Sequence, residues 1–313
     1  MQDAPDYHKD YHKEQLNKIE LGKKKMRRRS WVVNVLKFSL PPILLGAYSR
    51  YESKWIELTK TIIRLPFLPS GKKIKILHLS DLHLSDSISV NYIEDAISLG
   101  LKESPHACMI TGDFITNRPT DHQINGLTKC LSNCSKKIRT FASLGNHDGG
   151  DWSATRNGFS SPEKIINALK SANVRILHNE RESTYLNGLP ITVTGLGDMW
   201  SKECIPQKCM ARIKPNQARR PHLNILLSHN PDSKHLVDEF DWSLMLSGHT
   251  HGGQFRVPFS NYAPFAPVGD LSHTEGLGDF RGRPLFITRG IGNMYGLRLN
   301  CRPEISLLEL SRG

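Results

Sequence analysis

Long uninterrupted apolar runs are missing from this sequence of 313 residues. The most apolar stretch, residues 31–48, is interrupted by Asn34, Lys37 and the pair Pro41-Pro42. A membrane-spanning helix needs about 20 predominantly apolar residues, so this stretch is predicted to be a poor spanning helix. No internal repeat or low-complexity tract is visible either, which leaves a globular domain as the expectation for the rest of the chain.

Paired cysteines are also missing. The six cysteines include no CxxC pair, and no cleavable signal peptide precedes them. The simplest account is therefore a set of reduced thiols in a protein that faces the cytosol. Cys130 and Cys134 fall one helical turn apart, a spacing that favours packing over metal binding.

Acidic residues are too few to balance the basic ones. Lys and Arg number 42 against 30 Asp and Glu, which gives a formal net charge of +12. Such an excess predicts anionic partners: nucleic acid, anionic lipid or a phosphorylated substrate. The cations cluster before the apolar stretch and in one loop, and no aromatic-interleaved groove is apparent. Nucleic acid is therefore ranked below the other two.

The N-terminal 50 residues divide into a polar tail, residues 1–30, and an apolar segment, residues 31–50. The tail ends in a polybasic cluster in which six of the seven residues 23–29 are Lys or Arg. Trp31 and Tyr48 mark the ends of the apolar stretch, as interfacial aromatics do. The combination predicts a membrane-associating anchor on an anionic leaflet. Two alternatives stay open: a disordered tail before a surface helix, or a true span that places the remainder outside the cytoplasm.

Residues 51–313 are predicted to form one layered α/β domain, because apolar strands alternate with helical patterns. Residues 185–196 predict a hairpin that turns at Asn187-Gly188, a favoured hairpin dipeptide. The predicted strands cover residues 55–65, 74–79, 107–111, 140–144, 174–177, 224–227 and 243–246, and the predicted helices cover residues 90–101, 124–131 and 162–172.

Five of these strands end in polar residues that can bind metal. Ligands of α/β sheets bind beyond the carboxyl ends of the strands, so these side chains are expected to converge. Each has a plainer explanation on its own, since a Gly-Asp pair is often a turn and Asn-His-Asp is often a solvated loop. Five coincidences in series favour a common site, made of Asp81 and His83, Asp113, Asn146 and His147, His229, and His249 with His251.

The last of these blocks, residues 245–255, reads Met-Leu-Ser-Gly-His-Thr-His-Gly-Gly-Gln-Phe. The alternation of His249 and His251 predicts both imidazoles on one side of an extended backbone. The neighbouring glycines would let that backbone approach something closely. Two solvated histidines at a strand end are the plainer alternative.

The ordered series Asp-x-His, Gly-Asp, Gly-Asn-His-Asp, His and Gly-His-x-His resembles the calcineurin-like metallophosphoesterase superfamily, from about residue 74 to the C-terminus. The resemblance implies a four-layer α/β/β/α sandwich that holds two divalent metals. It also implies that His147 lies beside the phosphate, where it stabilises the transition state or protonates the leaving oxygen, and that Asp148 orients His147. The implied ligands are Asp81, His83, Asp113 and His251 for the first metal and Asp113, Asn146, His229 and His249 for the second.

The donor types agree with that assignment. A bridging carboxylate, an amide oxygen and imidazoles suit Mn, Fe, Zn or Co, and Mn²⁺ is the first expectation. Two metals about 3.5–4 Å apart activate a water nucleophile and bind the oxygens of a transferred phosphoryl group. Every expected ligand is present, which argues against a non-catalytic, membrane-tethered binding scaffold.

Several further blocks resemble a membrane-associated bacterial branch of the superfamily, and within it the LpxG-type UDP-2,3-diacylglucosamine pyrophosphatases of lipid A synthesis. The blocks are residues 248–254 with Arg256, residues 288–292, and Arg298, Asn300 and Pro303-Glu304. The resemblance implies an amphiphilic nucleotide-sugar substrate cleaved to UMP and 2,3-diacylglucosamine 1-phosphate. It also implies a peripheral or monotopic enzyme on the cytoplasmic face of the inner membrane.

Alternatives remain open within the same fold. A broad-specificity membrane-associated phosphodiesterase or phosphatase is the first alternative, and a nuclease is a weaker one. A polar, basic insertion at about residues 199–222 could cap the metal site and meet an anionic substrate, or it could be a solvated loop.

Overall fold

The computed structural model describes residues 24–25, 42–213, 222–258, 260 and 262–313. The chain divides into two compact units, Met1–Tyr48 and Ser49–Gly313. Most of the predicted tail and of the predicted apolar segment lies outside the described residues. In the first unit, residues 42–48 are helical, and the side chains of Ile43, Leu44 and Leu45 are exposed. None of the described helices combines the length and the apolarity that a membrane span requires.

Two six-stranded sheets build the second unit. Its strands are β1 (Glu57–Arg64), β2 (Lys73–Leu79), β3 (Ala107–Thr111), β4 (Arg139–Ser143), β5 (Arg175–Ile176), β6 (Glu180–Leu186), β7 (Leu189–Gly195), β8 (Leu223–Leu227), β9 (Leu244–Ser247), β10 (Gly276–Phe280), β11 (Arg283–Ile287) and β12 (Glu304–Ser311). The first sheet has the order β1-β12-β2-β3-β4-β5 and the second β10-β11-β9-β8-β7-β6. The predicted α/β class is therefore confirmed.

Parallel pairing places the functional strand ends together. Strands β2 to β5 pair in parallel in the first sheet, and β7, β8, β9 and β11 pair in parallel in the second. The carboxyl ends of parallel neighbours lie at one edge of their sheet, so each sheet presents a row of strand ends. The loops that carry the predicted site residues leave from these ends.

Three helices cover one face of the first sheet: α1 (Val90–Leu101), α2 (Asp121–Ser135) and α4 (Glu163–Ser171). The single-turn helix α3 (Asp151–Ala154) lies between β4 and α4 in the chain. Helix α2 begins at a capping box, in which the Thr120 hydroxyl accepts from the Gln123 amide and the Gln123 side chain accepts from the Thr120 amide. Such a cap satisfies two donors that a helix start leaves free. The buried faces of α1 and α2, including Ile93 and Leu127, pack against strand residues such as Ile110.

A second apolar layer fills the space between the two sheets. Ile76, Met109 and Phe141 of the first sheet belong to one buried cluster with Val193 and Leu246 of the second. Burying large apolar side chains of this kind stabilises the fold by about 1.5–3 kcal/mol each. The sandwich of sheet upon sheet holds the two rows of strand ends at a fixed separation.

The outer face of the second sheet departs from the predicted four-layer arrangement. Over the described residues, this face is covered by loops and a short 3-10 turn (Pro231–His235) rather than by an α-helix. Val237, Phe240 and Trp242 from these loops pack against Met245 of β9. In the described parts of the segments between β7 and β9, Pro206 and Pro231 each lie in the first turn of a short 3-10 helix.

The first nine strands lie where the sequence predicts them, within a few residues at each end. The predicted hairpin is formed by β6 and β7, with positive φ at Asn187 and Gly188. Strands β10, β11 and β12 were not predicted. Strand β12 lies between β1 and β2, in parallel with β1 and antiparallel to β2, so the C-terminal segment completes the first sheet.

Candidate metal centre

The predicted metal ligands converge at one buried place. They follow five strands, β2, β3 and β4 of the first sheet and β8 and β9 of the second, and every one of them is buried. Six of them, all but Asn146, form three groups together with His147, and in each group the donor atoms lie within 4.8 Å of one another. The groups are Asp81 with His83 and His251, His83 with Asp113 and His147, and Asp113 with His229 and His249.

Asp113 links the ligand groups, because it contacts both His83 and His229. Its Oδ2 is 3.4 Å from Nε2 of His83 and 3.2 Å from Nε2 of His229. Its Oδ1 accepts a hydrogen bond from the backbone amide of His147 at 2.9 Å. The carboxylate is therefore fixed in an orientation from which it can bridge two cations.

On one side of Asp113, the rings of His229 and His249 face each other. Nδ1 of His229 lies 2.6 Å from the Thr111 carbonyl and Nε2 of His249 lies 3.0 Å from the Pro267 carbonyl. A carbonyl oxygen only accepts, so both of these nitrogens carry hydrogen. In the neutral rings, Nε2 of His229 and Nδ1 of His249 then present lone pairs to each other at 3.2 Å. A cation coordinated by both nitrogens satisfies this arrangement.

On the other side the rings of His83 and His251 face each other, and Nδ1 of His251 accepts from the Arg298 guanidinium at 3.4 Å. The Thr116 hydroxyl donates to the His83 carbonyl, so its oxygen accepts from Nδ1 of His83 at 3.2 Å. The lone pair on Nε2 of His83 then points toward Nε2 of His251, which is 3.1 Å away. Oδ1 of Asp81 is 3.4 Å from the same nitrogen of His251.

Among the predicted metal ligands, two buried oxygens lack a hydrogen-bond partner within the described residues: Oδ1 of Asp81 and Oδ1 of Asn146. A buried polar atom without a partner is costly, by about 1–3 kcal/mol. Both oxygens belong to predicted metal ligands. The donor set and these two oxygens therefore fit a pair of divalent cations.

Burial favours the neutral, metal-binding form of three of the four ligand imidazoles. Burial lowers the pKa of His83 and of His249 to about 3 and lowers that of His251 well below its usual value. His229 is different: burial opposes its charge, but the Asp113 carboxylate outweighs burial and raises the pKa of His229 to about 10. Burial likewise raises the pKa of Asp81, to about 6.

The backbone at these ligands is left-handed rather than extended. Asp81, His83, Asp113, His249 and His251 all have φ between 49° and 68°. The expectation of an extended backbone at His249 and His251 is therefore wrong, and the two imidazoles belong to different ligand groups. Non-glycine residues at positive φ are uncommon and cluster at functional sites.

Gly248 allows the close approach of the backbone that the sequence predicts beside His249 and His251. A Cβ at this position would overlap the Ser80 hydroxyl and the Asp81 carboxylate. The Gly248 amide also donates to the His229 carbonyl at 3.0 Å. The β9 loop is thus packed directly on the β2 loop, and the glycine is what lets Asp81 and His249 share one site.

His147 and Asp148 have separate surroundings. Nδ1 of His147 lies 2.5 Å from the Thr116 carbonyl, which fixes the ring with its hydrogen on Nδ1. The Asp148 carboxylate accepts instead from three backbone amides, those of Asp113, Phe114 and Gly145, at 2.7–2.9 Å. The structure therefore assigns the orientation of His147 to Thr116, and Asp148 holds the two loops together.

Burial, with repulsion from Asp113, raises the pKa of Asp148 to about 8, although the amide hydrogen bonds favour its charged form. Cations beside Asp113 would offset that repulsion, since they neutralise the nearest negative charge.

Three further residues near the centre were not singled out as site residues from the sequence. Asp198 follows β7, is buried, and accepts from the Ser201 amide through Oδ2 at 2.6 Å, while its Oδ1 has no partner among the described residues. Trp152 lies 4.7 Å from His147 and Trp200 lies 4.3 Å from His249, as ring-centroid distances. Asp198 repeats the pattern of a small residue and an acid at a strand end, so a signal was available for it.

The basic insertion, about residues 199–222, is described as far as residue 213 and at residue 222. Cys209 and Met210 pack on the outer face of the second sheet, while Trp200 reaches His249. The Arg212 side chain is exposed and lies 3.7 Å from Glu239.

Arg298, which the resemblance drew attention to, is fully buried. Its guanidinium donates to backbone carbonyls in the loop that carries His251 and in the loop that packs on Asp81. The acceptors are His251, Arg289, Gly290, Gly292 and Cys301, at 2.5–3.2 Å. The buried Arg298 guanidinium therefore connects the first ligand group to the C-terminal loops.

The comparisons with known proteins agree with this geometry. Residues 74–253 match the family model described as calcineurin-like phosphoesterase. The chain is 38% identical over 266 residues to phosphodiesterase YaeI of Escherichia coli, covering 84% of this chain and 92% of that protein. It is 26% identical over 321 residues to UDP-2,3-diacylglucosamine pyrophosphatase LpxG of Chlamydia muridarum, covering 86% and 93%. It is also 27% identical over 300 residues to the uncharacterized metallophosphoesterase YkuE of Bacillus subtilis, covering 92% and 98%.

The family model covers more than half of the chain and ends inside the loop that carries His249 and His251. Fold, ligand geometry and family match therefore agree on a metal-dependent phosphoester hydrolase. The chain belongs to the calcineurin-like phosphoesterase family.

Proposed function

We propose that this protein hydrolyses phosphodiester or phosphoanhydride bonds of an amphiphilic substrate at a centre of two divalent cations, with Mn²⁺ as the first choice of metal. The observation that carries the proposal is the pair of ligand groups that meet at Asp113. His229 and His249 present lone pairs that face each other, His83 presents a lone pair toward His251, and each group has an oxygen in need of a partner.

The two cations are assigned to the groups on either side of Asp113. Asp81, His83 and His251 would hold the first with Asp113, and Asn146, His229 and His249 would hold the second with Asp113. Two bound divalent cations supply an activated water nucleophile and neutralise charge on the phosphate. The buried setting strengthens each of these electrostatic interactions, because little water remains to screen them.

His147 has the geometry of a general acid. The Thr116 carbonyl holds the hydrogen on Nδ1 and leaves Nε2 for the substrate. The His147 amide donates to Asp113, which places the ring beside the bridging carboxylate. Protonated at Nε2, His147 gives its proton to the leaving oxygen, a contribution of about 10²–10⁴-fold for a well-placed acid. Asp148 positions this loop and does not contact the reacting atoms.

The substrate class is inferred from relatives and from the N-terminal unit. The relative at 38% identity is named a phosphodiesterase, which supports a phosphodiester as substrate. The relative at 26% identity supports a more specific candidate, UDP-2,3-diacylglucosamine cleaved to UMP and 2,3-diacylglucosamine 1-phosphate. The exposed Ile43, Leu44 and Leu45 and the polybasic cluster support attachment to an anionic membrane surface, which we assign to the cytoplasmic face of the inner membrane.

Turnover assays separate these candidates. Purified protein with Mn²⁺ is given bis(p-nitrophenyl) phosphate in one arm and UDP-2,3-diacylglucosamine in the other, each with and without a chelator. Chelator-sensitive hydrolysis in the first arm supports a dimetal diesterase, and UMP release in the second assigns the lipid A substrate. Diester hydrolysis without UMP rejects the lipid A substrate, and no hydrolysis in either arm rejects the proposed function.

The variant Asp113→Ala removes the bridge and is expected to abolish turnover. Asp121→Asn, at an exposed carboxylate on α2, is the matched control and is expected to keep wild-type activity. A fully active Asp113→Ala protein would refute the two-metal assignment.

Membrane attachment has its own measurement. Full-length protein is expected to sediment with vesicles that contain phosphatidylglycerol and to remain in solution with pure phosphatidylcholine. The double variant Leu44→Glu/Leu45→Glu is expected to lower the bound fraction, because it replaces exposed apolar side chains by anions. Equal sedimentation with both vesicle types would overturn the anionic-surface proposal.

A further inference from the structure

Trp152 and Trp200 connect His147 with His249 through a series of ring contacts at the metal centre. The Trp152 ring stands edge-on to His147 with centroids 4.7 Å apart, and Trp200 stands edge-on to His249 at 4.3 Å. The two indoles lie 5.5 Å apart at an interplanar angle of 37°. The wall that they form, called here the indole wall, connects the proposed general acid to a ligand of the opposite group.

Separate loops bring the two indoles together. Trp152 belongs to the single-turn helix α3, and Trp200 belongs to the turn after β7. The Ser201 hydroxyl donates to the Gly149 carbonyl at 3.4 Å and its amide donates to Asp198 at 2.6 Å. These contacts tie the two loops to each other, so the indole wall is formed before any substrate arrives.

The indole wall is not part of the apolar core. Both tryptophans are half-buried, and neither belongs to the three buried clusters of the described chain. The Arg156 guanidinium stacks on Trp152 at 5.0 Å. Half-buried indoles beside a polar metal centre offer a flat apolar surface that the chemistry at the phosphate itself does not need.

We propose that the indole wall binds a ring carried directly on the scissile phosphate, either an aryl or a sugar ring. This inference rests on the proposed function, because the phosphate must lie between the two ligand groups. Trp200 lies against His249, so a group one or two bonds from the phosphorus comes within reach of the indole. Aromatic side chains stack with aryl rings and pack against the C–H face of sugars. A bare phosphate or a methyl ester lacks the surface to use this contact.

Binding of small phosphorus ligands tests the inference directly. Affinities of phenylphosphonate, glucose 1-phosphate and methylphosphonate are measured by calorimetry on Mn²⁺-loaded protein. Phenylphosphonate or glucose 1-phosphate is expected to bind about tenfold more tightly than methylphosphonate, as a stacked ring contributes on the order of one tenfold step in affinity. The two ring ligands distinguish an aryl from a sugar site. Equal affinities for all three ligands would overturn the proposal.

Substitutions of the two tryptophans test whether the preference for ring ligands arises at the indole wall. In Trp200→Leu the ring preference is expected to fall below about threefold, whereas Trp200→Phe keeps a ring and is expected to retain most of it. Trp55→Leu is the matched control, since Trp55 is exposed and stacks on Arg302 instead. Metal content is measured for each protein. Trp152→Leu provides a second test that does not touch His249, and an undiminished preference in both leucine variants refutes the indole wall as the binding surface.

Failure of this inference is distinguishable from failure of the proposed function. Hydrolysis of methyl p-nitrophenyl phosphate reports the chemistry on a diester whose single ring is that of the leaving group. Turnover of that ester together with equal phosphonate affinities rejects only the ring site. No turnover of any ester or of UDP-2,3-diacylglucosamine rejects the proposed function, whatever the affinities of the three phosphorus ligands.

Discussion

Asp148 offers a sharp test, because sequence and structure give it different roles. The sequence predicts that it orients His147, whereas the structure shows its carboxylate bonded to the amides of Asp113, Phe114 and Gly145. The variant Asp148→Asn keeps the size of the side chain and replaces one acceptor oxygen by an NH₂ donor. We expect a loss of stability with nearly normal chemistry in the molecules that remain folded.

The magnitude follows from the three hydrogen bonds. If the Asn oxygen takes the place of Oδ2, it keeps the bonds from Asp113 and Gly145, and its NH₂ then faces the Phe114 amide. Losing a hydrogen bond to a charged group costs about 1.5–3 kcal/mol, and leaving a buried amide unsatisfied costs about 1–3 kcal/mol. Relief of repulsion between Asp148 and Asp113, which raises the pKa of Asp148, offsets part of this. A net loss of about 2–4 kcal/mol is expected.

The assay is urea unfolding at fixed Mn²⁺ concentration, because bound metal adds to stability. Turnover is measured on the same samples below the transition. Asp121→Asn is the control and is expected to change the free energy of unfolding by less than about 1 kcal/mol, since its ion pair with Lys164 is exposed. Unchanged stability together with a large drop in kcat would refute the positioning role and restore the predicted orienting role.

Two further variants probe how the loops are held. Arg298→Lys leaves three donors where the guanidinium serves five carbonyls. The free energy of unfolding in urea is therefore expected to fall by about 2–5 kcal/mol, and Mn²⁺ binding is expected to weaken. An unchanged metal affinity would show that Arg298 does not support His251. Gly248→Ala pushes a methyl group into Ser80 and Asp81, and overpacking of this kind costs about 1–3 kcal/mol. Its metal content should fall, while Gly46→Ala, where nothing lies within 4 Å, should keep the wild-type value.

The sequence predicts the alternating part of the fold because its strands are local apolar runs that end in polar residues. Strands β10 and β12 escape this reasoning for different reasons. Strand β10 reads Gly-Leu-Gly-Asp-Phe, with two glycines that weaken any strand pattern. Strand β12 is apolar enough, but its place between β1 and β2 depends on pairing with residues more than two hundred positions away. No local signal carries that information.

The site, like the fold, has a part that the sequence predicts and a part that it does not. Convergence of strand-end residues is a property of parallel sheets, so the sequence predicts which ligands come together. Thr116, Trp152 and Trp200 come from loops whose paths depend on tertiary contacts, such as that of Ser201 with Gly149. Their approach to the metal centre could not be inferred from residue type or spacing.

The left-handed backbone at five predicted ligands connects function with stability. Each such residue costs about 1–2 kcal/mol relative to ordinary conformations, and five together approach the net stability of a typical domain, about 5–15 kcal/mol. Hydrogen bonds between the loops offset part of this cost. The amide of Asp81 donates to the backbone carbonyl of Gly112, and the amide of His83 donates to the backbone carbonyl of Asp113, both at 3.0 Å. Because these bonds run between loops of neighbouring strands, neither loop can relax alone. The ligands are therefore held in place by the sheet itself, and metal binding does not have to order them.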